Sequence, residues 1–532
     1  MEFFEWLIDD HLYDYIGGYM FLALAMALFT GLPVAFALGG ISLIFGLLGI
    51  AIGVLDYAIF YQVINRIWGG DGASGAVQNP ILVAIPCFVF MGTMLERSRV
   101  AADLLHILQI MLRRVPGGLA LSITVMGTIM AATTGIIGAS VVMMTLLALP
   151  TMLRRGYQHS LATGTIAASA TLGILIPPSI MLVLMANLLA VSVGNLFIGA
   201  VLPGLVLSGL YFIYIMTRAT INPSVAPPLP EDMIHVDPTN FRNVAVYFSV
   251  TVAIVIAVYV LSRLGIDWVN WSLIGFLAIF TYSMMMGRKE GNTIFGGILK
   301  GFVPPIFLII MVLGSIFAGW ATPTEAAGIG AFGSMILAAF NRTLTKEVVR
   351  EVCHRTGLTT AMIFFIFVGA TAFSTIFRNV YGEDLIIELI EVLDLGAWPL
   401  LFLLMFSVFL MGFFFDFLEI TLIILPVFAP VIQAFSPEFA SHLGVEGLPF
   451  QQIQEQVIYW FAILVAVNLQ TSFLTPPFGF ALFYMKGVAP PEVKMQSIYR
   501  GIIPFVTLQV IGLGVVILFP QVTLWLPRLM LQ

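Results

Sequence analysis

The sequence predicts an all-α polytopic membrane protein made of two inverted repeats, each with a re-entrant helical hairpin and a broken helix. Three observations carry that prediction. Of 532 residues, 60% are hydrophobic and only 9% charged, whereas a soluble domain carries about a quarter charged residues. The apolar runs are interrupted in related places: Gly135, Gly138, Ala139 and Ser140, then Gly173, Pro177, Pro178 and Ser179, break one pair, and residues 412–426 and 471–479 break another. In hydrocarbon an unpaired backbone group costs several kcal/mol, so such breaks persist only against protein, an ion or a substrate. Finally, the charges flanking the two halves point in opposite directions.

Spacing relates the halves. Ser140 stands ten residues before Pro150, and Asp416 ten before Pro426. Upstream, the stretch ending at Gly92 parallels the one ending at Gly369 at nearly the same offset. The pairs Pro177-Pro178 and Pro476-Pro477 complete the match once the polar loop 436–456 is set aside. Broken helices at matching positions of a weak repeat point to a transport site near the bilayer midplane.

In chain order, the apolar runs of the first half are 17–52, interrupted at Gly31-Leu32-Pro33, then 80–95, 117–153, 160–189 and 196–217. A polar linker and an apolar pair, 244–261 and 268–286, separate the halves. The second half runs 302–340, interrupted at Thr322-Pro323, then 358–377, 398–435, 457–484 and 501–526. A spanning helix needs about 20 residues, so the runs of nearly twice that length are each two helices or a hairpin. Segment 96–115 puts Leu104, Leu105, Leu108 and Leu112 on one helical face, as a helix lying in the membrane interface would. Its counterpart, 378–395, is acidic. No Lys or Arg precedes the first apolar run, which argues against a cleaved signal peptide.

Lys and Arg orient the chain. Arg113-Arg114 and Arg154-Arg155 flank run 117–153, so both its ends belong on the cytoplasmic side. Run 398–435 lies in a stretch, Tyr381 to Glu455, without Lys or Arg, and Glu383, Asp384, Glu388, Glu391, Asp394, Glu438 and Glu446 surround it. Both its ends belong outside. One hairpin thus enters from each face, which is inverted-repeat topology. The same threading leaves only Arg66, Arg263, Arg378 and Arg528, of 22 Lys and Arg residues, on the outer side.

Other function classes find little support. There is no basic patch for nucleic acid. Cys87 and Cys353 supply neither a disulfide framework nor a thiolate metal site, and His106, His159 and His354 have no metal-ligand spacing. A membrane-embedded enzyme would need a nucleophile with its base or a metal cluster, and neither HExxH nor GxSxG occurs. A channel would not need paired, inverted, broken hairpins.

The motifs GASVV at 138–142, LPTMLRRGY at 149–157, LGILIPPS at 172–179, VGNLF at 193–197, LPG at 202–204, ATPTEAA at 321–327 and LTPPFG at 474–479 together resemble the large permease subunit of tripartite ATP-independent periplasmic (TRAP) transporters. The resemblance covers roughly residues 31–217 and 301–504. It implies a sodium-coupled (Na+) importer in the bacterial inner membrane. Such an importer takes an organic acid from a periplasmic substrate-binding protein and works with a separate small four-helix membrane subunit in the lipid bilayer. It also implies an elevator-type member of the ion-transporter superfamily, whose hairpins and broken helices move against a scaffold. The chain would divide into N-terminal scaffold helices (1–79), a first transport-domain repeat (80–195), a scaffold helix (196–217), a linker with two inserted helices (218–300), scaffold helices (301–357), a second transport-domain repeat (358–500) and a C-terminal scaffold helix (501–532). The variant at 469–490 is most similar to the branch labelled for mannitol or chloroaromatic compounds. The rival within transporters is a self-sufficient sodium or proton carboxylate symporter.

The site chemistry can be argued from the residues themselves. Sodium takes several oxygen ligands, and the tip Gly138-Ala139-Ser140 with the break from Gly173 to Pro178, which includes Pro177, offers backbone carbonyls and a hydroxyl without formal charge. In the second half, Asp416 and Glu419 are carboxylates in an otherwise apolar run, where ionisable groups are costly and so functional by default. Asp416 reads as an ion ligand or a helix cap. Glu419 reads as a ligand, a proton carrier or a group in a wet cavity. Thr471, Thr475 and Pro476 at the second break join the candidate ion ligands, and Ala139, Ser179, Glu419 and Ser472 are the candidate substrate contacts. Taken singly, such hydroxyls also serve helix packing. Glu325 in ATPTEAA reads as a helix cap.

Overall fold

The computed structural model describes residues 13–69, 75–134, 137–228, 237, 239–263, 268–291, 293–413, 415–476 and 479–530; Gly135, Pro477 and the acidic start of the chain lie outside them. Among the described residues all regular structure is helical apart from one isolated bridge, Asp237 with Thr293. Among the described residues, ten helices are long and apolar enough to cross a membrane.

The first repeat begins with α1 (Tyr13–Phe29), α2 (Val34–Ala51), the short α3 (Ala58–Trp68), α4 (Ala84–Arg97) and α5 (Val100–Met111). Its hairpin is α6 (Gly118–Thr134) and α7 (Ile137–Arg154), its broken helix is α8 (His159–Thr171) and α9 (Ile180–Leu188), and α10 (Val193–Ile221) closes it. The inserted pair is α11 (Phe241–Arg263) and α12 (Trp268–Glu290). The second repeat begins with α13 (Ile294–Phe317), π-helical at Ile298–Phe302, then α14 (Pro323–Phe340), α15 (Lys346–Asn379) and α16 (Gly382–Val392). Its hairpin is α17 (Ala397–Met411) and α18 (Phe417–Ala434), followed by the short α19 (Ser436–Leu443). The broken helix α20 (Phe450–Leu474) and α21 (Phe480–Val488) then leads to α22 (Met495–Leu518) and α23 (Gln521–Met530).

The interruptions read from the sequence are the helix ends. Gly31, at φ +81°, turns the chain out of α1, and Pro33 sits at the N-cap of α2, positions that suit residues of those backbone preferences. Before α14, the Thr322 hydroxyl accepts from the Glu325 N–H at 3.3 Å and Glu325 Oε2 accepts from the Thr322 N–H at 2.8 Å. This is a reciprocal capping box with Pro323 at the first helical position, so two orphan donors are satisfied. Glu325 is the helix cap its surroundings suggest.

Packing forms two groups. In one, α15 lies along α2, α3 and α4, and α14 lies along α4 and α13. In the other, α8 packs on α6, α7 and α22, and α20 packs on α10, α17 and α22. The pairings show the repeat: α2 meets α15 as α14 meets α4, and α8 meets α22 as α20 meets α10. Helix α8 is made of small residues, buried from Leu161 to Thr171. A Cβ at Gly164 would overlap the Gly501 carbonyl of α22, so glycine is required for this close approach. The most hydrophobic window of α20 is wholly buried, while that of α11 has no buried residue and faces outward. On α5, Leu104, Leu105 and Leu108 are buried as its pattern predicts, covered by α6 and the π-helical stretch of α13.

Candidate transport site between the hairpin tips

The two tips meet. Gly138 and Ala139 at the start of α7 and Asp416 before α18 line one cavity of about 350 Å³, together with Ile180 of α9, Tyr484 of α21, and Arg355 and Thr359 of α15. Asp416 is the N-cap of α18. Its Oδ1 accepts from the Phe417 N–H at 2.8 Å, and Glu419 Oε2 accepts from the Asp416 N–H at 3.1 Å. The positive end of the helix favours negative charge here. Capping and facing the cavity are therefore compatible roles of the same carboxylate. Glu419 completes the capping box and does not line the cavity.

The other candidates flank this cavity without lining it. Ser140 is buried within α7. Gly173 lies in a 3₁₀ turn, Leu172–Ile174, and Pro177 precedes Pro178 through a cis peptide bond. The Ser179 hydroxyl donates to the Ile174 carbonyl at 2.6 Å. On α20, Thr471, Ser472 and Thr475 donate to the carbonyls of Val467, Leu469 and Thr471 at 3.5, 2.8 and 2.7 Å. Pro476 follows Thr475, the C-cap of α20. These bonds use the hydroxyl protons and leave oxygen lone pairs, the part of a hydroxyl that a cation would use. A Cβ at Gly412 would collide with the Ser472 side chain, so the end of α17 sits directly against the second break.

Sequence reasoning missed five residues. The buried hydroxyls of Thr145 and Thr421, and both amide atoms of Gln470, have no hydrogen-bond partner among the described residues. A buried polar group left unpaired costs about 1–3 kcal/mol, and such orphans call for an explanation such as an ion or a water. Thr145 and Thr421 each stand five residues beyond their tip residue, Ser140 and Asp416. That shared register was the available signal. These neutral oxygens suit a sodium ion. Arg355 and Thr359 are one helical turn apart on α15. Arg355 pairs with Glu351 at 2.9 Å, and Glu351 also pairs with Arg97 of α4. Arg355 escaped notice because it lies ahead of the apolar run 358–377, in a basic stretch, and Thr359 because a lone hydroxyl inside such a run also serves helix packing.

Two hairpins that enter from opposite faces and meet at one cavity beside two broken helices define an inverted-repeat membrane transporter. The chain belongs to the family described as "Tripartite ATP-independent periplasmic transporter, DctM component", which it matches over residues 21–522. It is 26% identical to a C4-dicarboxylate TRAP transporter large permease protein of Vibrio cholerae, covering 96% of this chain and 97% of that one. It is 24% identical to the sialic acid TRAP transporter large permease protein of the same species (95% and 96%). An ectoine/5-hydroxyectoine TRAP transporter large permease protein of Ruegeria pomeroyi is 23% identical (95% and 97%). Its fold is similar to the crystal structure of the Alcanivorax borkumensis YdaH transporter, with a TM-score of 0.53 at 14% identity over 94% of this chain and 98% of that one. The protein is a multi-pass permease of the bacterial inner membrane.

Proposed function

We propose that this permease couples sodium entry to the import of an organic acid handed over by a periplasmic substrate-binding protein, with a small four-helix membrane subunit as its partner. The observation that carries the reading is the single cavity lined by both hairpin tips and by α15 of the other packing group. The body containing α6–α10 and α17–α22 would move against the frame of α1–α5 and α13–α16. This partition is drawn from the packing and differs from the sequence expectation in both directions: α10 and α22, expected as scaffold, join the moving body, while α4, α5, α16 and most of α15, expected in the transport-domain repeats, join the frame. Asp416 supplies the charge that sodium offsets, Thr145, Thr421 and Gln470 supply neutral oxygens, and Arg355 with Thr359 faces the carboxylate of the cargo. Two of the relatives above are named for acids, C4-dicarboxylates and sialic acid, which supports an acid as cargo here.

Reconstitution tests this. Vesicles holding the chain and the small subunit should take up labelled organic acid only when binding protein and an inward sodium gradient are both supplied. Strong uptake by the chain alone would instead favour a self-sufficient symporter.

A further inference from the structure

The helices that border the tip cavity run on to a second one. Helix α9 gives Ile180 to the first and Asn187 to the second, α18 gives Asp416 and then Pro426, and α15 gives Arg355 and then Ser374 and Arg378. The second cavity, of about 200 Å³, is completed by Arg66 of α3. Along α15, Arg355 and Arg378 are separated by about 35 Å at 1.5 Å per residue. The two cavities follow one another along one seam between the packing groups, the first reaching Ile363 of α15 and the second beginning at Phe367.

Arg66 and Arg378 are two of the four basic residues that charge asymmetry leaves on the outer side, and they share this cavity. Arg378 is already engaged. Its Nε forms an ion pair with Glu383 Oε1 at 2.7 Å and its Nη2 donates to the Pro426 carbonyl at 3.2 Å. Residue 430 is also proline, so the Pro426 carbonyl has no helical N–H to accept from and takes the guanidinium instead. Arg66 has no ion pair or hydrogen bond among the described residues. Arg66 is exposed at the rim of the cavity, and partial desolvation there, then the Arg378 guanidinium, hold it below the ordinary arginine range, with Glu383 acting the other way. Among the described residues of this corner, two guanidiniums against one carboxylate leave one positive charge. Asn187, whose side-chain carbonyl is taken by Asn79, keeps its NH₂ group as a donor, and Ser374 adds a hydroxyl.

We infer that this outer cavity is an anion site, centred on Arg66, that receives the carboxylate of the incoming organic acid before it reaches the tips. The inference rests on the transport reading above. A guanidinium is weakly hydrated and matches a carboxylate bidentately. Without a partner among the described residues, Arg66 is the group with that capacity to spare.

The test uses the full chain with its small subunit in membranes, with Cys87 and Cys353 replaced and Ser374→Cys introduced. A cationic methanethiosulfonate applied from outside should modify Cys at this position. Succinate, at four times its Kd, should slow the reaction about fivefold relative to chloride of equal ionic strength. Arg66→Gln should remove the protection and Arg66→Lys should retain part of it, which controls for misfolding. Absence of protection by succinate, or protection that survives Arg66→Gln, overturns the inference whatever uptake shows. Protection without sodium-driven succinate uptake upholds the site and counts against the transport reading instead.

Discussion

At the scale of single residues, Asp416 carries two loads that substitution can separate. As an N-cap it satisfies first-turn donors, and loss of such a cap costs about 1 kcal/mol. As a carboxylate facing the cavity it supplies the charge a cation would offset. Asn is as good a cap as Asp, so Asp416→Asn should leave thermal stability in detergent nearly unchanged. Initial uptake rates at saturating substrate should nevertheless fall about tenfold or more, the scale set by losing a charge-assisted interaction, and the apparent affinity for sodium should weaken. Normal uptake with unchanged sodium dependence would reduce Asp416 to a cap. Glu419→Gln keeps the capping-box geometry and should be milder, as should Ser140→Ala, because the carbonyls of the first tip remain.

At the scale of elements, the second site depends on how closely the end of α17 approaches α20. Gly412 has no room for a methyl group against Ser472, and overpacking of this kind costs about 1–3 kcal/mol. Gly412→Ala should therefore lower the melting temperature of the purified protein and impair uptake together. Adding Ser472→Gly makes room and should restore most of the stability. If Gly412→Ala melts like the parent, the contact is slack and the close approach of α17 to α20 does not hold. The broken helices themselves follow from composition. Pro177 and Pro178 cannot continue α8, and the chain resumes as α9 only at Ile180.

At the scale of the whole molecule, the inverted repeat makes a topological prediction. Single cysteines at Glu438 and Arg154, in a background without Cys87 and Cys353, should be labelled from opposite sides of the membrane by an impermeant maleimide. Labelling of both from one side would remove the basis for two hairpins of opposite entry. The packing adds a physical reason for expecting motion between the two groups, since both cavities lie along the seam where they meet.

Much of this protein is legible in its sequence because a bilayer leaves few choices. Helix positions follow from apolar run lengths, breaks from Gly and Pro, and orientation from Arg and Lys, all local properties, and even Asp416 stands out as a carboxylate in an apolar run. The family likeness rested on the same short motifs. What only the tertiary structure decided is which side chains share a space. Gly138 and Asp416 are joined at one cavity by α15, whose Arg355 belongs by sequence to a basic loop. Arg66 and Arg378 lie more than three hundred residues apart and face one another only because α3 packs on α15. That the Gln470 amide is unpaired carries no sequence signal, because satisfaction of a buried group depends on neighbours that folding brings in from elsewhere in the chain.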